Sequence, residues 1–253
     1  MDRTIACGNI AVKMFEDFYH EEKGGVCISA DQASRFAKDV AGDFNPIHNP
    51  DARRFCVPGD LLFALVLARF GLYQRMAFRF NSMVNDKTVL RFKEDGPGRI
   101  TVEDVAGKVC LEAVCEGEVT RDEAVVEAFV RRYVAFSGLN FPHYLKPLFE
   151  EKGVMFNPQR PMVIYDSMGF ALDELPAKEP EVEFAGGTLD VEGKRATVRF
   201  QFQMKAGDAI VGTGSKKLIV SGLLAYDAQV MDDTITEFFR LKSVYEGQRA
   251  TRA

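Results

Sequence analysis

The sequence lacks the features that mark nucleic-acid-binding and membrane proteins. Acidic residues outnumber basic ones by 37 to 32, so the formal net charge is −5. The pI of about 5.4 lies well below the value of about 9 above which a basic nucleic-acid surface is expected. The longest apolar run, residues 61–68, is much shorter than the roughly 18 residues of a membrane-spanning helix. Residues 1–3 lead into no long apolar segment, so no signal peptide is expected.

Cysteine and histidine are also scarce. The five cysteines form no Cys-x-x-Cys pair, and their odd number leaves one without a disulfide partner. This usage indicates a reduced, cytoplasmic setting. The three histidines and the scattered cysteines lack the spacing of metal ligands, so neither a metal site nor a bound cofactor is predicted.

The composition does allow a normal buried core. Hydrophobic residues make up 47% of the 253 positions and charged residues 27%, as in ordinary globular domains. After a short lead-in over residues 1–24, helical spacing predicts a helix over residues 30–40, capped near Ser29. A second helix is predicted over residues 61–73, and its apolar residues lie nearly all round it, which indicates burial on most sides.

A period of two follows these helices. It predicts strands over residues 88–92, 99–105 and 108–119. Residues 123–134 are ambiguous, because their valines favour a strand while their start also fits a helix. This order is typical of an antiparallel sheet wrapped around a single helix.

The second half of the chain repeats that order. An apolar helix is predicted over residues 162–175, followed by three strands joined by hairpin turns. The strands are predicted at residues 182–191, 196–205 and 209–221. The fold class is therefore α+β with two similar units, residues 1–135 and 136–245, and a polar, frayed tail at residues 246–253.

An acid and an imidazole stand five residues apart on a loop between the first two helices. Asp43 and His48 flank Pro46, which lacks an N–H and disfavours a helix before it. An aspartate and a histidine that share one water could exchange protons with both the water and a substrate carbon. The histidine suits this because its ordinary pKa is about 6.5. A structural interpretation is that Asp43 organises an Asx-turn and that Asn45 holds the loop through backbone hydrogen bonds.

Gly59 lies just before the second predicted helix. The first N–H groups of a helix have no partner within it, so they could bind an oxygen that gathers negative charge. A glycine there lets a carbonyl group approach the backbone closely.

The segment Asp-Phe-Asn-Pro-Ile-His at residues 43–48 resembles the motif of the MaoC-like (R)-specific enoyl-CoA hydratases. The likeness covers about residues 33–72, including the Phe-x-x-Pro-Gly before the central helix. It implies a hot dog fold, here a double hot dog with the motif in the first unit only. It also implies that Asp43 and His48 activate water and that the Gly59 N–H holds a thioester oxygen. The whole chain is also similar to a bacterial family catalogued only as a domain of unknown function.

The resemblance implies a hydratase or dehydratase of 2-enoyl and 3-hydroxyacyl thioesters. The carrier would be coenzyme A or acyl-carrier protein, and the chain could pair with a second copy. Hydratases of this family usually have His-Gly and then an apolar residue at the start of the central helix, whereas this chain has Pro58-Gly59-Asp60. Pro58 removes one N–H, and Asp60 could cap the helix and compete with substrate. A non-catalytic acyl-thioester-binding or regulatory protein is therefore an alternative, and a thioesterase with Asp60 as its acid is a third.

Other polar residues have plain structural interpretations. His143 could reach the same cleft, although a surface position fits better. Residues 165–167 would be the polar start of the second helix. Lys216 and Lys217 would lie at solvated strand ends, where they could meet the phosphates of coenzyme A. Nothing marks Cys56 as a nucleophile.

Overall fold

The protein is described by a computed structural model that covers residues 14–22, 24–177 and 179–251. Residues 1–13, with Cys7 and most of the predicted lead-in, lie outside this description. The helices are α1 (Ala30–Asp39), α2 (Gly59–Phe70), α3 (Glu123–Ala135), α4 (Ser137–Leu139), α5 (Leu145–Lys152) and α6 (Ala228–Ala250). The strands are β1 (His20–Glu22), β2 (Gly25–Cys27), β3 (Leu72–Phe80), β4 (Leu90–Glu94), β5 (Arg99–Asp104), β6 (Val109–Thr120), β7 (Val154–Met155), β8 (Met162–Leu172), β9 (Glu181–Glu192), β10 (Arg195–Ala206), β11 (Ala209–Ser221) and β12 (Leu224–Ala225).

Both halves of the chain contribute to one antiparallel sheet. Ten strands follow the order β1-β2-β4-β5-β6-β3-β8-β11-β10-β9, and β7 and β12 form a separate pair. The halves join where β3 pairs with β8, with Arg75 opposite Ala171 and Arg79 opposite Ser167. The fold is therefore α+β with a large antiparallel sheet, as the alternating pattern predicted.

Helix α2 is the buried helix of the first half. Nine of its twelve residues are buried, which agrees with the apolar residues found all round it in the sequence. The helix ends at Phe70, earlier than predicted, because Gly71 has a φ of 98° and turns the chain directly into β3. An added Cβ at Gly71 would lie 2.7 Å from the Thr120 carbonyl oxygen, so the turn has no room for a side chain. Strand β3 itself was not predicted.

The ambiguous segment of residues 123–134 is a helix, so the preference for a strand was wrong. The Asp122 carboxylate accepts hydrogen bonds from the N–H groups of Ala124 and Val125 and caps the start of α3. Its buried residues Val126, Phe129, Val130, Tyr133 and Val134 recur at helical spacing. This helical spacing of buried residues outweighs the β propensity of the valines, so the segment folds as a helix.

The predicted helix over residues 162–175 is also wrong, because this segment forms strand β8. Strand β8 is paired on both sides, by β3 and β11. Its sequence has apolar residues on both faces, interrupted only by Asp166, Ser167 and Gly169, so it shows no clean alternation and cannot be told from a helix by its pattern alone. Helix α5, which precedes β8, packs Leu145 and Phe149 into a second core with Phe200 and Val220.

Most of the predicted tail belongs to a long helix. Helix α6 runs through residue 250, and the Asp227 side chain caps its start by accepting the Val230 N–H. The Phe238 ring of α6 packs edge-on against Phe44, with the ring centroids 5.8 Å apart. The helix thus returns to the first half of the chain and covers the loop that carries Asp43. None of the helices described is both long and apolar enough to cross a membrane.

A close backbone contact fixes α4 against the loop that follows α1. An added Cβ at Gly138 would lie 2.5 Å from the Gly42 carbonyl oxygen and 2.7 Å from that of Ala41. We therefore expect Gly138→Ala to lower the free energy of unfolding by about 1–3 kcal/mol, the usual cost of overpacking. Urea-induced unfolding of the purified variant measures this loss.

Gly247→Ala is the matched control, since an added Cβ there meets nothing within 4 Å. Because this position in α6 is exposed, the free energy of unfolding of Gly247→Ala should equal that of wild type or exceed it by up to about 1 kcal/mol. A Gly138→Ala protein as stable as wild type would show that the contact with Gly42 is looser than the structure indicates.

Candidate active site

A cavity of about 760 Å³ lies between the Asp43 loop, the start of α2, strand β8 and helix α6. Its size is within the range of about 300–1,000 Å³ that is typical of small-molecule sites. Its lining includes Asp43 and His48 from the loop, Gly59 from α2, Tyr165 from β8 and Phe238 from α6. The structure therefore brings the predicted acid, base and helix start to one largely apolar cavity.

The loop is held by its own side chains. The Asn45 N–H donates to Asp43 Oδ1 at 2.9 Å, and the Ile47 N–H donates to Asn45 Oδ1 at 3.2 Å. Asn45 Nδ2 donates to the Val163 carbonyl oxygen at 3.3 Å, which ties the loop to β8. Asn45 thus has the structural role that its turn chemistry predicted, although it also lines the cavity.

The two candidate catalytic side chains face each other without a direct hydrogen bond. Asp43 Oδ2 and His48 Nε2 are 3.7 Å apart, too far for a hydrogen bond but close enough for one water to contact both. The His48 Nδ1 lies 2.7 Å from the Cys56 carbonyl oxygen. Since a carbonyl oxygen only accepts, Nδ1 carries the hydrogen, and the Nε2 of the neutral ring presents its lone pair toward Asp43.

The Asp43 carboxyl is set apart from ordinary aspartates by its surroundings. Burial raises its pKa, and the nearby Asp60 adds to this, while His48, the Asn45 N–H and Lys216 oppose it. The net result is a raised pKa, so the carboxyl keeps its proton to a higher pH than an exposed aspartate. Perturbed carboxyl groups of this kind suit general acid–base chemistry.

Helix α2 begins without a side-chain cap among the residues that the structure describes. The Leu61 N–H donates to the Pro58 carbonyl oxygen at 3.0 Å, whereas the N–H groups of Gly59 and Asp60 precede the helical hydrogen bonds and are open to a ligand. The rings of Phe80 and Tyr165 lie close to Gly59, since an added Cβ there would be 3.1 Å from each. A larger residue at this position would have to displace one of these rings by a few tenths of an ångström.

Asp60 does not cap α2, contrary to the sequence-based prediction. Only 2% of it is exposed, and Oδ1 lies 3.3 Å from the Lys216 ammonium. Lys216 is not at a solvated strand end either, because it is 1% exposed, and its ammonium lies 4.7 Å from the Tyr133 ring centre. The carboxylate is therefore engaged away from the cavity and does not compete with a ligand for the start of the helix.

The ion pair continues into two hydroxyl groups. Lys216 Nζ donates to Ser137 Oγ at 2.6 Å, and the Tyr165 hydroxyl donates to the same oxygen at 2.8 Å. Burial lowers the pKa of Lys216, opposed by Asp60, and burial raises the pKa of Tyr165 well above its usual value. We refer to Asp60, Lys216, Ser137 and Tyr165 as the buried polar network.

Sequence reasoning missed this network for identifiable reasons. Nothing in the sequence marks Ser137, and Tyr165 was assigned to a helix. A signal did exist for Lys216, because in a strand it shares a face with the apolar Leu218 and Val220, whereas Lys217 points the other way. Lys217 indeed lies near the surface, 3.1 Å from Asp166.

Two further candidates have plain roles. The His143 side chain is exposed and does not line the cavity, as the surface interpretation predicted. Cys56 does line the cavity, but burial raises the pKa of its thiol to about 11. A thiol with that pKa is not a nucleophile near neutral pH.

Three potential metal ligands meet on the β1–β2 hairpin, which the sequence spacing did not suggest. His20, Glu22 and Cys27 each place one ligand atom within 4.8 Å of the others. His20 and Cys27 are cross-strand partners, which explains their proximity despite their separation in sequence. None of the three lines the cavity.

Solved structures with some similarity include hydratase-like proteins and thioesterases. A MaoC-like dehydratase is 12% identical, with 82% of this chain and 99% of that chain covered and a TM-score of 0.42. An acyl-CoA thioesterase II from Mycobacterium marinum is 8% identical, with 68% and 92% covered and a TM-score of 0.40. A conserved protein of unknown function with a hot dog fold, from Alicyclobacillus acidocaldarius, is 10% identical, with 82% and 97% covered and a TM-score of 0.44. Likenesses this distant carry no argument about activity.

No curated protein matches the sequence. A family profile described as "Protein of unknown function (DUF3581)" matches residues 13–229, which is most of the chain. The chain therefore belongs to the DUF3581 family of proteins of unknown function.

Proposed function

We propose that this protein is a MaoC-like hydratase or dehydratase that acts on 2-enoyl and 3-hydroxyacyl thioesters. The observation that carries the proposal is the pair of His48 Nε2 and Asp43 Oδ2, 3.7 Å apart in a cavity that also contains the uncapped start of α2. The pair can hold one water, and the helix start can hold one carbonyl oxygen. The fold in this proposal is a double hot dog, with α2 as the central helix of the first unit.

In the hydration direction, His48 is the base and Asp43 the acid. His48 Nε2 removes a proton from the shared water while the water oxygen bonds to C3 of the enoyl thioester. The C2–C3 π electrons move toward the thioester carbonyl, whose oxygen the Gly59 N–H stabilises. The protonated Asp43 carboxyl then gives its proton to C2, and transfer of the proton from His48 to Asp43 restores the site. Dehydration is the reverse sequence.

The surroundings of the two groups favour the roles that this mechanism gives them. The hydrogen bond from Nδ1 to the Cys56 carbonyl oxygen directs the lone pair of neutral His48 toward the water. The raised pKa of Asp43 favours its protonated form. The Asn45 N–H holds Oδ1, which leaves Oδ2 as the oxygen that carries the proton.

The rest of the cavity suits an acyl chain. The walls include Leu62, Val163, Leu218, Phe238 and Leu241, so most of the surface offered to a ligand is apolar. Coenzyme A or acyl-carrier protein would carry the acyl group, and no cofactor takes part in the proposed reaction. The proposed setting is cytoplasmic, and pairing with a second copy is part of the same proposal.

A non-catalytic acyl-thioester-binding protein is the second candidate. The closeness of the Phe80 and Tyr165 rings to Gly59 favours it, because these rings narrow the approach to the helix start. A thioesterase with Asp60 as its acid is disfavoured, since the Asp60 carboxylate is engaged by Lys216 and does not line the cavity.

Substitution of the acid or the base should abolish hydration. With trans-2-enoyl-CoA of several chain lengths, we expect kcat of Asp43→Asn and of His48→Ala to fall about a hundredfold or more, because each removes a proton-transfer group. Loss of enoyl absorbance measures turnover. Asp51→Asn, an exposed aspartate near the same loop, is the control and should retain wild-type kcat.

Two outcomes would decide against the proposed chemistry. Turnover that is unchanged in both variants would show that the loop is not the active site. Acyl-CoA binding by the wild-type protein without turnover at any chain length would favour the non-catalytic candidate.

The raised pKa of Asp43 also predicts a pH dependence of stability. The native state holds this proton more tightly than the unfolded chain, where an aspartate titrates near pH ~3.9. Its contribution to stability is therefore complete below that pH and is lost as the pH rises through the native pKa. Asp43→Asn cannot ionise, so the stability of the variant relative to wild type should increase as the pH rises above about 4 and then level off.

Urea unfolding of Asp43→Asn and wild type between pH 4 and 8 measures this difference. Asp51→Asn, whose side chain is exposed, should show no such rise. If the difference in free energy of unfolding between Asp43→Asn and wild type stays flat or falls as the pH rises, the pKa of the partly buried Asp43 is not raised.

A further inference from the structure

The position of Ser137 is set by the packing of two loops. Gly138, the next residue, lies against the backbone of Gly42, the residue before Asp43. Helix α4 thereby places the Ser137 side chain beside the loop of the candidate acid, at the wall of the same cavity. Only 4% of Ser137 is exposed, so its hydroxyl group must find its partners inside the protein.

Both lone pairs of the Ser137 oxygen are already used. The Lys216 ammonium, which can only donate, lies 2.6 Å away, and the Tyr165 hydroxyl donates from 2.8 Å. A serine hydroxyl has two acceptor positions and one hydrogen. Within the described part of the chain, no residue accepts a hydrogen bond from the Ser137 hydroxyl group. A buried donor without an acceptor is unfavourable, so an oxygen atom of a cavity ligand is the expected partner.

The groups behind Ser137 strengthen it as a donor. Two hydrogen bonds accepted by one oxygen, one of them from a cation, polarise its O–H group. The Lys216 ammonium is held in turn by Asp60 at 3.3 Å, and it packs on the Tyr133 and Tyr165 rings at 4.7 and 5.3 Å. A rigid, preorganised donor of this kind stabilises negative charge that develops on a substrate oxygen.

We propose that Ser137 is a catalytic hydrogen-bond donor that binds the carbonyl oxygen of the acyl thioester, with Tyr165, Lys216 and Asp60 as its positioning residues. This inference rests on the proposed acyl-thioester function. It narrows the ligand class to acyl compounds that present a carbonyl group to Ser137 and Gly59, which both line the cavity. Ser137 donates together with the Gly59 N–H, and it binds the carbonyl oxygen without being acylated.

Binding of two matched ligands tests the proposal without turnover. Octanoyl-CoA has the thioester carbonyl, and its thioether analogue octyl-CoA has a methylene in its place. By calorimetry, wild-type protein should bind octanoyl-CoA about tenfold or more tightly than octyl-CoA. Ser137→Ala should lose most of this preference while its affinity for octyl-CoA stays the same. Ser215→Ala, an exposed serine beside Lys216 on β11, is the matched control and should keep the preference.

The ratio of the affinities for octanoyl-CoA and octyl-CoA also tests the positioning residues. Tyr165→Phe removes only the hydroxyl and should reduce the preference for octanoyl-CoA severalfold. The double variant Asp60→Leu/Lys216→Met replaces the buried pair with apolar side chains, so no unpaired charge blocks folding. It should retain a cooperative melting transition and octyl-CoA binding but lose most of the preference.

Four results would overturn the proposal. Equal wild-type affinity for the two ligands, or no binding of either, would show that no carbonyl donor acts in this cavity. An equal loss of affinity for both ligands in Ser137→Ala would indicate a purely structural serine, and an acyl adduct on Ser137 in mass spectrometry would indicate a nucleophile. The proposed hydration can fail separately, because absence of enoyl-CoA turnover leaves the carbonyl preference unaffected.

Discussion

The buried ion pair between Asp60 and Lys216 is the interaction on which the candidate site depends. It links the start of α2 in the first half of the chain to β11 in the second, with both side chains almost fully buried. Such a pair is costly unless each charge is well compensated, and here Ser137, Tyr133 and Tyr165 complete the surroundings of the ammonium. The pair removes the Asp60 carboxylate from the cavity and directs Lys216 toward Ser137. Asp60, which the sequence suggested would compete with substrate, therefore helps to hold the candidate site together.

The Asp43 loop is attached to the same framework by short-range packing. Asn45 reaches the Val163 carbonyl oxygen on β8, and Gly42 lies against Gly138 at the turn that carries Ser137. These contacts join the acid–base pair to the buried polar network across the two halves. The cavity is thus formed by both halves, although only the first contains the motif.

Local patterns in the sequence were enough to predict the parts of the fold that depend on them. The capping residue Ser29, the apolar helix α2 and the hairpins of the last three long strands were predicted because each depends on neighbouring residues. Strand β8 was not, because its apolar residues lie on both faces and give no clean alternation, so the segment also fits a helix. The Asp43–His48 pair could be predicted since one loop holds both residues. Lys216 and Ser137 meet only through the sheet and α4, across 79 positions of sequence, and no local pattern reports such a contact.

In the proposed reaction, the Asp43–His48 pair adds water to C3 of an enoyl thioester. The fate of oxygen tests this reaction when trans-2-enoyl-CoA is incubated with the protein in water labelled with heavy oxygen. We predict that mass spectrometry will find the label in the C3 hydroxyl group of an intact thioester, and that Asp43→Asn will give none. Label in the carboxylate of a released fatty acid, with no labelled thioester, would contradict the claim and identify the reaction as thioester hydrolysis.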